Sequence, residues 1–370
     1  MRFLMLNWRD PLNPLSGGAE RVTLAYLAEL ARRGHECAWF ANTFSGATVS
    51  EEFQGIQLIR GGGKGTSVLA ARRWTLSQPR FDLVIDQHHG IPWYAPWWCG
   101  TNNIAYIHEV LGPIWHAFYP WPLAVLGRWQ ERWTHWTYRK VPFWVPSEST
   151  KQALHANGVR EVAVFPNGVD THPLAQLDPK PLGQPLRLIA VSRMAPNKRV
   201  EHAIRAVGVL KQRGVASMLK IVGSGESLPS LQSLTRELGL QAQVEFTGSL
   251  PEAAKNQALR EAHLLVHTSI REGWGLNVIE ANAMGTPALV YPVAGLVDST
   301  VHNETGIVSE SETPESLASA AESLLKQPNR YDPLRTNAWK RAGTLQWENV
   351  LRPACDWLES KASVRLTGRK

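Results

Sequence analysis

The segment Ser269–Ala281 carries two acidic residues eight positions apart, Glu272 and Glu280, with glycines at 273 and 275 between them. It follows an apolar run and opens a helical pattern, so it predicts a strand-to-helix turn. Glycines keep side chains out of such a turn, and a ligand can then approach the backbone. A carboxylate accepts two hydrogen bonds side by side, which suits the vicinal hydroxyls of a ribose or hexose. A simpler alternative is an ordinary helix whose acidic residues lie near its amino-terminus, where the helix dipole favours them. That alternative does not explain Gly273 and Gly275.

The same segment predicts an anion site at the start of its helix. The amides of Gly275, Leu276 and Asn277 fall in the first helical turn, where they have no partner inside the helix. Helix amino-termini of this kind bind phosphates. Trp274 lies between the two glycines.

Two cations stand five residues apart in a second loop. Arg193 and Lys198 follow the apolar run Leu188–Val191 and precede a helical pattern. Arginine offers a planar fork and lysine a mobile point charge, so the pair can flank one diphosphate. The alternative is a solvated basic loop, and we expect Arg199 to be a surface residue.

Alternating strands and helices must position these loops. Such a series predicts an α/β fold with parallel sheets covered on both faces. Predicted strands recur at Phe3–Leu6, Cys37–Phe40, Ile56–Ile59, Leu83–Asp86, Asn103–Ile107, Phe143–Val145, Leu186–Val191, Met218–Val222, Val244–Thr247, Leu264–Thr268 and Ala288–Tyr291.

Domain boundaries follow from the prolines. Five of them fall between residues 166 and 185 and predict a linker. We expect a first domain at 1–170, a linker at 171–185, a second domain at 186–343, and a last helix at about 344–362.

The Glu-x7-Glu segment strongly resembles that of the retaining GT-B glycosyltransferases of family 4, and the resemblance recurs along nearly the whole chain. It implies two Rossmann-like, doubly wound domains facing across a cleft, with the last helix crossing back to the N-terminal domain. It also implies that Glu272 binds donor-sugar hydroxyls and that Glu280 binds the ribose. Trp274 replaces the commoner phenylalanine of the family.

Further site residues are implied by the same resemblance. Arg193 and Lys198 match the pair that neutralises the departing diphosphate. Gly223 corresponds to a turn near the nucleotide, and Phe246 to a position near the base.

The first half carries two more matches to the family. Gly17 and Gly18 resemble its N-terminal glycine loop, which approaches the donor phosphate. His108 matches the cleft histidine that contacts the transferred sugar, although a lone histidine is more often structural.

Several other chemistries are excluded by the motifs. The chain has no Asp-x-Asp and no Gly-x-Ser-x-Gly, and Gly61–Thr66 fails as a phosphate-binding motif because a glycine follows Lys64. His88 and His89 have no partner at metal-ligand spacing, so a structural role is favoured. We expect no metal and no cofactor beyond the nucleotide sugar.

Composition and charge limit the kinds of partner and the cellular location that we expect. The 370 residues carry a net charge of +7, and Lys361, Arg365, Arg369 and Lys370 of the last ten residues supply four of those charges. No basic stripe indicates nucleic-acid binding. Three distant cysteines favour a reducing compartment, and Met1–Leu6 is expected to be a strand and not a signal peptide. We therefore expect a cytoplasmic protein.

Tryptophan is concentrated in the first half, with twelve of sixteen before residue 150. Between residues 93 and 140 tryptophans alternate with cations, and Trp129 shares a helix face with Trp133. One interpretation is a core with a charged rim. The other is a site for a glycan or lipid-linked acceptor, or contact with the inner face of a membrane.

These observations favour a metal-independent, retaining hexosyltransferase that uses a nucleotide-diphosphate sugar. A non-catalytic nucleotide-sugar-binding subunit, and an epimerase or phosphorylase on the same fold, stay as alternatives. The base, the sugar and the acceptor are not determined by the motifs.

Overall fold

The computed structural model describes residues 1–63 and 65–364. Lys64 and the basic tail residues Arg365, Arg369 and Lys370 therefore lie outside the described residues. The chain divides into two compact units. The first consists of residues 1–112, 125–168 and the chain from Trp347 onward, and the second of residues 113–124 and 169–346.

The first unit contains an eight-stranded sheet in the order β3-β4-β2-β1-β5-β6-β7-β8. All neighbours are parallel except β3, which pairs antiparallel with β4. Its strands are β1 (Arg2–Leu6), β2 (Glu36–Ala41), β3 (Ser50–Phe53), β4 (Ile56–Arg60), β5 (Leu83–Gln87), β6 (Asn102–Tyr106), β7 (Phe143–Val145) and β8 (Val162–Val164).

The second unit contains a six-stranded, wholly parallel sheet in the order β11-β10-β9-β12-β13-β14. This is the doubly wound order, in which the chain reverses its direction of travel between the first and fourth strands. The strands are β9 (Leu186–Val191), β10 (Ser217–Val222), β11 (Val244–Gly248), β12 (Leu264–His267), β13 (Ala288–Val290) and β14 (Gly306–Val308).

Helices connect the strands in both units. Three short 3₁₀ turns also occur, at Ala95–Trp97, Pro196–Lys198 and Pro328–Arg330. The helices are α1 (Gly18–Arg32), α2 (Ser67–Leu76), α3 (Ile114–Phe118), α4 (Trp121–Thr137), α5 (Glu148–Ala156), α6 (Val200–Gln212), α7 (Leu228–Glu237), α8 (Glu252–Glu261), α9 (Leu276–Ala283), α10 (Leu296–Ser299), α11 (Pro314–Lys326), α12 (Tyr331–Thr344) and α13 (Trp347–Ser363).

The central strands are mostly apolar because helices cover both faces of a parallel sheet. Phe3, Leu4, Met5 and Leu6 of β1 are fully buried. This explains why continuous apolar runs, and not alternation, marked the strands in the sequence. The predicted α/β fold with two doubly wound parallel sheets is confirmed.

Each of the eleven predicted strands is present, with ends that differ by at most one residue. Three further strands were missed, namely β3, β8 and β14. All three lie at sheet edges. β8 and β14 have three residues each, too few to show a pattern, and β3 is mostly polar.

The last helix packs on the first unit, as the family resemblance implied. α13 contacts α1, and Arg33 of α1 pairs with Asp356 (2.7 Å) and Glu359 (3.1 Å). The ring of Trp347 lies so close to Gly168 that a Cβ atom there would meet it at 2.5 Å. Gly168 is therefore required where the chain approaches the start of α13.

Among the described residues, no helix combines the length and the apolar character needed to cross a bilayer.

We expect Leu358→Ala to lower the free energy of unfolding by about 3 kcal/mol, because this side chain is 1% exposed on the inner face of α13. Leu76→Ala is the matched control, since Leu76 ends α2 of the same unit and is 59% exposed. It should cost less than about 0.5 kcal/mol. Urea unfolding of both variants measures this, and equal midpoints would contradict the docking of α13.

Candidate functional site

The loops that carry the predicted site residues leave the second sheet where its strand order reverses. β9 and β12 are neighbours there, and each is followed by one of the two loops. Open α/β sheets bind ligands beyond the carboxyl ends of such a strand pair. The fold therefore brings the Arg193–Lys198 loop and the Glu272 loop to one edge of one sheet.

Glu272 is the centre of a charged cluster at this edge. Its Oε1 atom forms an ion pair with Lys198 Nζ, accepts a 2.6 Å hydrogen bond from Ser269 Oγ, and lies 3.5 Å from His267 Nε2. Both charged side chains are mostly buried but reach solvent. The structure thus brings together Glu272 and Lys198, which are 74 positions apart, and adds Ser269 and His267, which sequence reasoning missed.

The protonation states follow from burial and charge. Burial alone would raise the pKa of the Glu272 carboxyl, but the charge of Lys198 and the hydrogen bonds from Lys198 and Ser269 outweigh it, and the pKa is lowered. Burial is also the main reason why the pKa of His267 falls to about 4. At neutral pH the cluster therefore holds a carboxylate and an uncharged imidazole beside the Lys198 side chain.

Arg199 fixes the two loops to each other. Its guanidinium donates to the backbone oxygens of Thr268 and Ser269 (2.9 Å each), pairs with Glu312 at 2.7 Å, and lies over the ring of Tyr291. The expectation that Arg199 is a surface residue is wrong. Its side chain is mostly buried because it supplies donors to carbonyls just beyond β12.

The backbone of Glu272 is held from the other side by the turn before α10. Its amide donates to Ala294 O at 3.1 Å. Gly295 adopts φ +80°, and a Cβ atom there would lie 2.1 Å from Glu272 O. Only glycine permits this approach, so Gly295 positions Glu272 although it belongs to no motif that the sequence revealed.

Helix α9 begins as the sequence predicted. Gly275 precedes it with φ +92°, and no side chain caps the amides that follow. The side chain of Asn277 donates a 2.7 Å hydrogen bond to Val191 O, which ties the first turn of α9 to the end of β9. The amides of Leu276 and Asn277 therefore stand at the switch point, on the helix end that attracts anions.

The remaining residues of the Glu-x7-Glu segment are largely buried. Glu280 Oε2 pairs with Lys255 Nζ of α8 at 3.0 Å, so its charge already has one partner. Gly273 adjoins Glu272, and Trp274 is 7% exposed with an indole nitrogen that has no partner among the described residues.

The other predicted residues of the second unit differ in exposure. Arg193 is exposed, and its side chain has no hydrogen bond or ion pair with any residue that the structure describes. Gly223 lies under the first loop, where a Cβ atom would meet Ser192 O at 2.0 Å. Phe246 is partly buried on β11. The packing against Ser192 explains Gly223 without a ligand.

Gly17 and Gly18 lie in the first unit, at the start of α1. Gly17 N donates to Glu20 Oε2 at 2.7 Å, and Glu20 also pairs with Arg9 at 3.2 Å. Gly17 is exposed and has room for a Cβ atom. Intramolecular packing therefore does not account for the glycine at position 17.

His108 lies just after β6, also in the first unit, and is 8% exposed. The side-chain amide of Gln87 donates to its Nε2 atom at 3.0 Å, and the ring stacks on His89. Burial, with a smaller effect of His89, lowers the pKa of His108 to about 3. The imidazole is therefore uncharged at neutral pH.

His88 is held by structural hydrogen bonds, whereas His89 contacts His108 through its ring. His88 Nδ1 lies 3.1 Å from Asp86 Oδ1, and that carboxylate also accepts from Trp93 N and from the hydroxyl of Tyr138. Within residues 1–63 and 65–364, no three histidine, cysteine or acidic side chains are grouped as metal ligands.

The fold and the switch-point site together define a protein of the GT-B class. Two solved structures align over nearly the whole chain. The complex of Anabaena HepE with UDP and glucose has a TM-score of 0.74 and 16% identity, and the alignment covers 97% of this chain and 100% of that one. Sucrose-phosphate synthase from Thermosynechococcus elongatus has a TM-score of 0.78 and 18% identity, with 97% and 98% covered.

Sequence matches identify the family. The model described as Glycosyl transferases group 1 matches residues 178–341, and the model described as Glycosyltransferase Family 4 matches residues 16–173. A D-inositol 3-phosphate glycosyltransferase of Rhodococcus opacus is 33% identical over 170 residues. That alignment spans 43% of this chain and only 37% of the relative. The chain is a glycosyltransferase-like protein of the family-4 type, as the motifs indicated.

We expect Gly295→Ala to destabilise the second unit, because the new Cβ atom must displace Glu272 O. Gly214→Ala is the matched control: its φ is +75°, and no described atom lies within 4 Å of the added carbon. The control should cost about 1 kcal/mol for the left-handed backbone. Gly295→Ala should cost at least about 2 kcal/mol more by urea unfolding, and equal losses would show that this contact is unimportant.

We expect the imidazoles of His267 and His108 to stay uncharged from pH 7.5 down to pH 5. Because burial lowers their pKa to about 4 and about 3, the folded chain binds fewer protons than the unfolded chain below pH ~6.5. Their contribution to stability is complete above that pH and is lost as the pH falls through those values. Histidine NMR, assigned with His267→Gln and His108→Gln, measures this, and a midpoint near 6.5 would refute it.

Proposed function

We propose that the protein transfers a hexose-type sugar from a nucleotide-diphosphate sugar to a glycan, glycolipid or small-molecule acceptor. The observation that carries this proposal is the cluster at the switch point of the second sheet. There a carboxylate, an ammonium and free helix amides lie on loops from adjacent strands. The family-4 sequence matches favour transfer over simple binding.

In this proposal the diphosphate lies between the cations and the start of α9. Lys198 has three N–H donors and uses one on Glu272, so it can donate to a phosphate without leaving the carboxylate. Arg193 can bind a second phosphate oxygen with its planar fork. The amides of Leu276 and Asn277 supply fixed dipoles toward the same group.

Glu272 and Glu280 are assigned to the hydroxyls of the donor. A carboxylate that is ionised and only partly occupied by cations can accept from a sugar hydroxyl, and Glu272 meets both conditions. Glu280 keeps Lys255 as its partner and has lone pairs left for a ribose hydroxyl. Gly223, Gly273 and Trp274 lie in the surrounding loops, and we infer that Phe246 of β11 contacts the base.

The reaction we propose retains the anomeric configuration and needs no metal. The bond between the anomeric carbon and the phosphate oxygen breaks, and the acceptor oxygen bonds to the same face of that carbon. The acceptor proton passes to the departing phosphate oxygen. Arg193, Lys198 and the amides of α9 stabilise the negative charge that grows on the diphosphate, an effect of about 3–4 kcal/mol for a well-placed donor.

We expect Arg193→Ala, Lys198→Ala and Glu272→Gln each to lower turnover by about 10²–10³-fold, because each removes a charge from the reacting groups. Arg236→Ala and Lys326→Ala are matched controls, since both side chains are exposed on helices away from this edge. Both controls should keep full activity and the same melting temperature. Donor hydrolysis without acceptor, with and without EDTA, provides the assay for a chain whose acceptor is not known.

A screen with UDP, GDP and ADP precedes this assay, because a bound ligand raises the melting temperature by mass action. Stabilisation by one diphosphate, with donor turnover that EDTA leaves unchanged, supports the proposal. Stabilisation without any turnover would favour a non-catalytic binding subunit. Near-normal turnover in all three site variants would remove the assignment of these residues.

A further inference from the structure

Helix α4 turns its large apolar side chains outward. Trp121, Trp129 and Trp136 are 71%, 64% and 57% exposed, and Val125 and Trp133 are exposed between them. Successive members of this set are three or four residues apart, so they lie on one side of the helix. The stripe is about 22 Å long, given a rise of 1.5 Å per residue.

The inner face of the same helix is polar. Glu131, Thr134 and His135 are buried against the first unit. The carboxylate of Glu131 accepts hydrogen bonds from the amides of Leu111 (2.6 Å) and Gly112 (3.0 Å). This is the reverse of an ordinary surface helix, whose apolar face lies inward. The core therefore does not explain the outward tryptophans.

Cations flank the stripe, and no acid is exposed between residues 110 and 147. Arg128 and Arg132 are exposed on α4, and Arg139 and Lys140 follow its end, with the Arg139 guanidinium 4.5 Å from the centre of the Trp136 ring. Glu131 is the only acid between residues 110 and 147, and it is buried. A groove of about 720 Å³ runs along this surface. Its lining residues are Val125, Arg128, Trp129, Arg132, Trp133, Trp136, Ala156 and Asn157.

We propose that the outer face of α4 docks on the surface of an anionic lipid bilayer. Tryptophan partitions to the boundary between headgroups and acyl chains, where its ring is apolar and its N–H reaches water. The arginines at the edge of the stripe would meet lipid phosphates while their stems stay on apolar surface. Trp97, whose ring centre is 6.4 Å from that of Trp133, extends the same surface. This inference does not depend on the proposed transferase activity.

The charge pattern favours lipid over a second copy of the chain. A twofold contact would place the same patch against itself. The cations at 128, 132, 139 and 140 would then face one another, and residues 110–147 offer no exposed acid to pair them. A glycan can stack on one or two tryptophans, but a stripe about 22 Å long with cations along its edge matches a flat, negatively charged surface better.

Vesicle flotation of the full chain tests the proposal. Wild-type protein is mixed with phosphatidylcholine vesicles that contain 0% or 30% phosphatidylglycerol, at low and high salt. We expect flotation with the anionic vesicles, weakened by salt because the electrostatic attraction is screened. Vesicles with brominated acyl chains should quench the tryptophan fluorescence of the bound protein.

Two variants separate the apolar and charged contributions. Trp121→Ser/Trp129→Ser/Trp136→Ser should reduce the partition coefficient at least 10-fold, and Arg128→Gln/Arg132→Gln should reduce it by a similar factor. Arg72→Gln/Arg73→Gln is the matched control. It removes the same charge from exposed positions of α2 in the same unit, where Leu69 and Leu76 are also exposed. All changes are at exposed sites, and melting temperatures check that each variant is folded.

Loss of flotation in the α4 variants, with the α2 control unchanged, supports this surface. An equal loss of flotation in the α2 control would show that net charge alone explains binding, and it would overturn the assignment to α4. Failure of the wild type to float, or equal flotation with neutral vesicles, would overturn the anionic bilayer as partner. A dimer that separates when the tryptophans are replaced, without vesicle binding, would assign the face to a second copy instead.

Discussion

The ion pair of Glu272 and Lys198 is the interaction on which the candidate site depends. Two loops separated by more than seventy residues meet there, and each carries one charge. A partly buried pair is stable only when further polar contacts satisfy its remaining atoms. Ser269 supplies such a contact, Arg199 ties the loops by backbone carbonyls, and the absence of a side chain at Gly295 lets Glu272 keep its place.

Burial also sets the chemistry that the histidines can perform. His267 is uncharged at neutral pH because its surroundings exclude water, although a carboxylate lies 3.5 Å away. An uncharged ring lets Lys198 and Arg193 remain the cations available to an anionic ligand at this edge. His108 of the first unit is uncharged for the same reason.

The tryptophans of the first unit form two populations. Trp39, Trp93 and Trp144 are fully buried in the core of the sheet. Those on α4 point outward from a helix whose polar face is turned inward. The core interpretation therefore applies to the buried tryptophans, and the exposed ones form the surface for which bilayer docking is proposed.

Much of the fold follows from the sequence, because parallel strands buried on both faces are continuous apolar runs and the turns between them carry glycines. The charged motifs at 193–198 and 272–280 are local, and their position after predicted strands could be read without coordinates. Edge strands such as β8 could not be predicted from the sequence, because a run of three half-buried residues is too short to show a pattern. Nor could Arg199, Ser269 and Gly295, whose roles arise from contacts with residues distant in the chain. The sequence alone determined which groups could do chemistry and that they stand at strand ends. Only the tertiary structure decided which of them meet, which are neutral, and which face of α4 is exposed, because burial and distance depend on the packing of the whole unit.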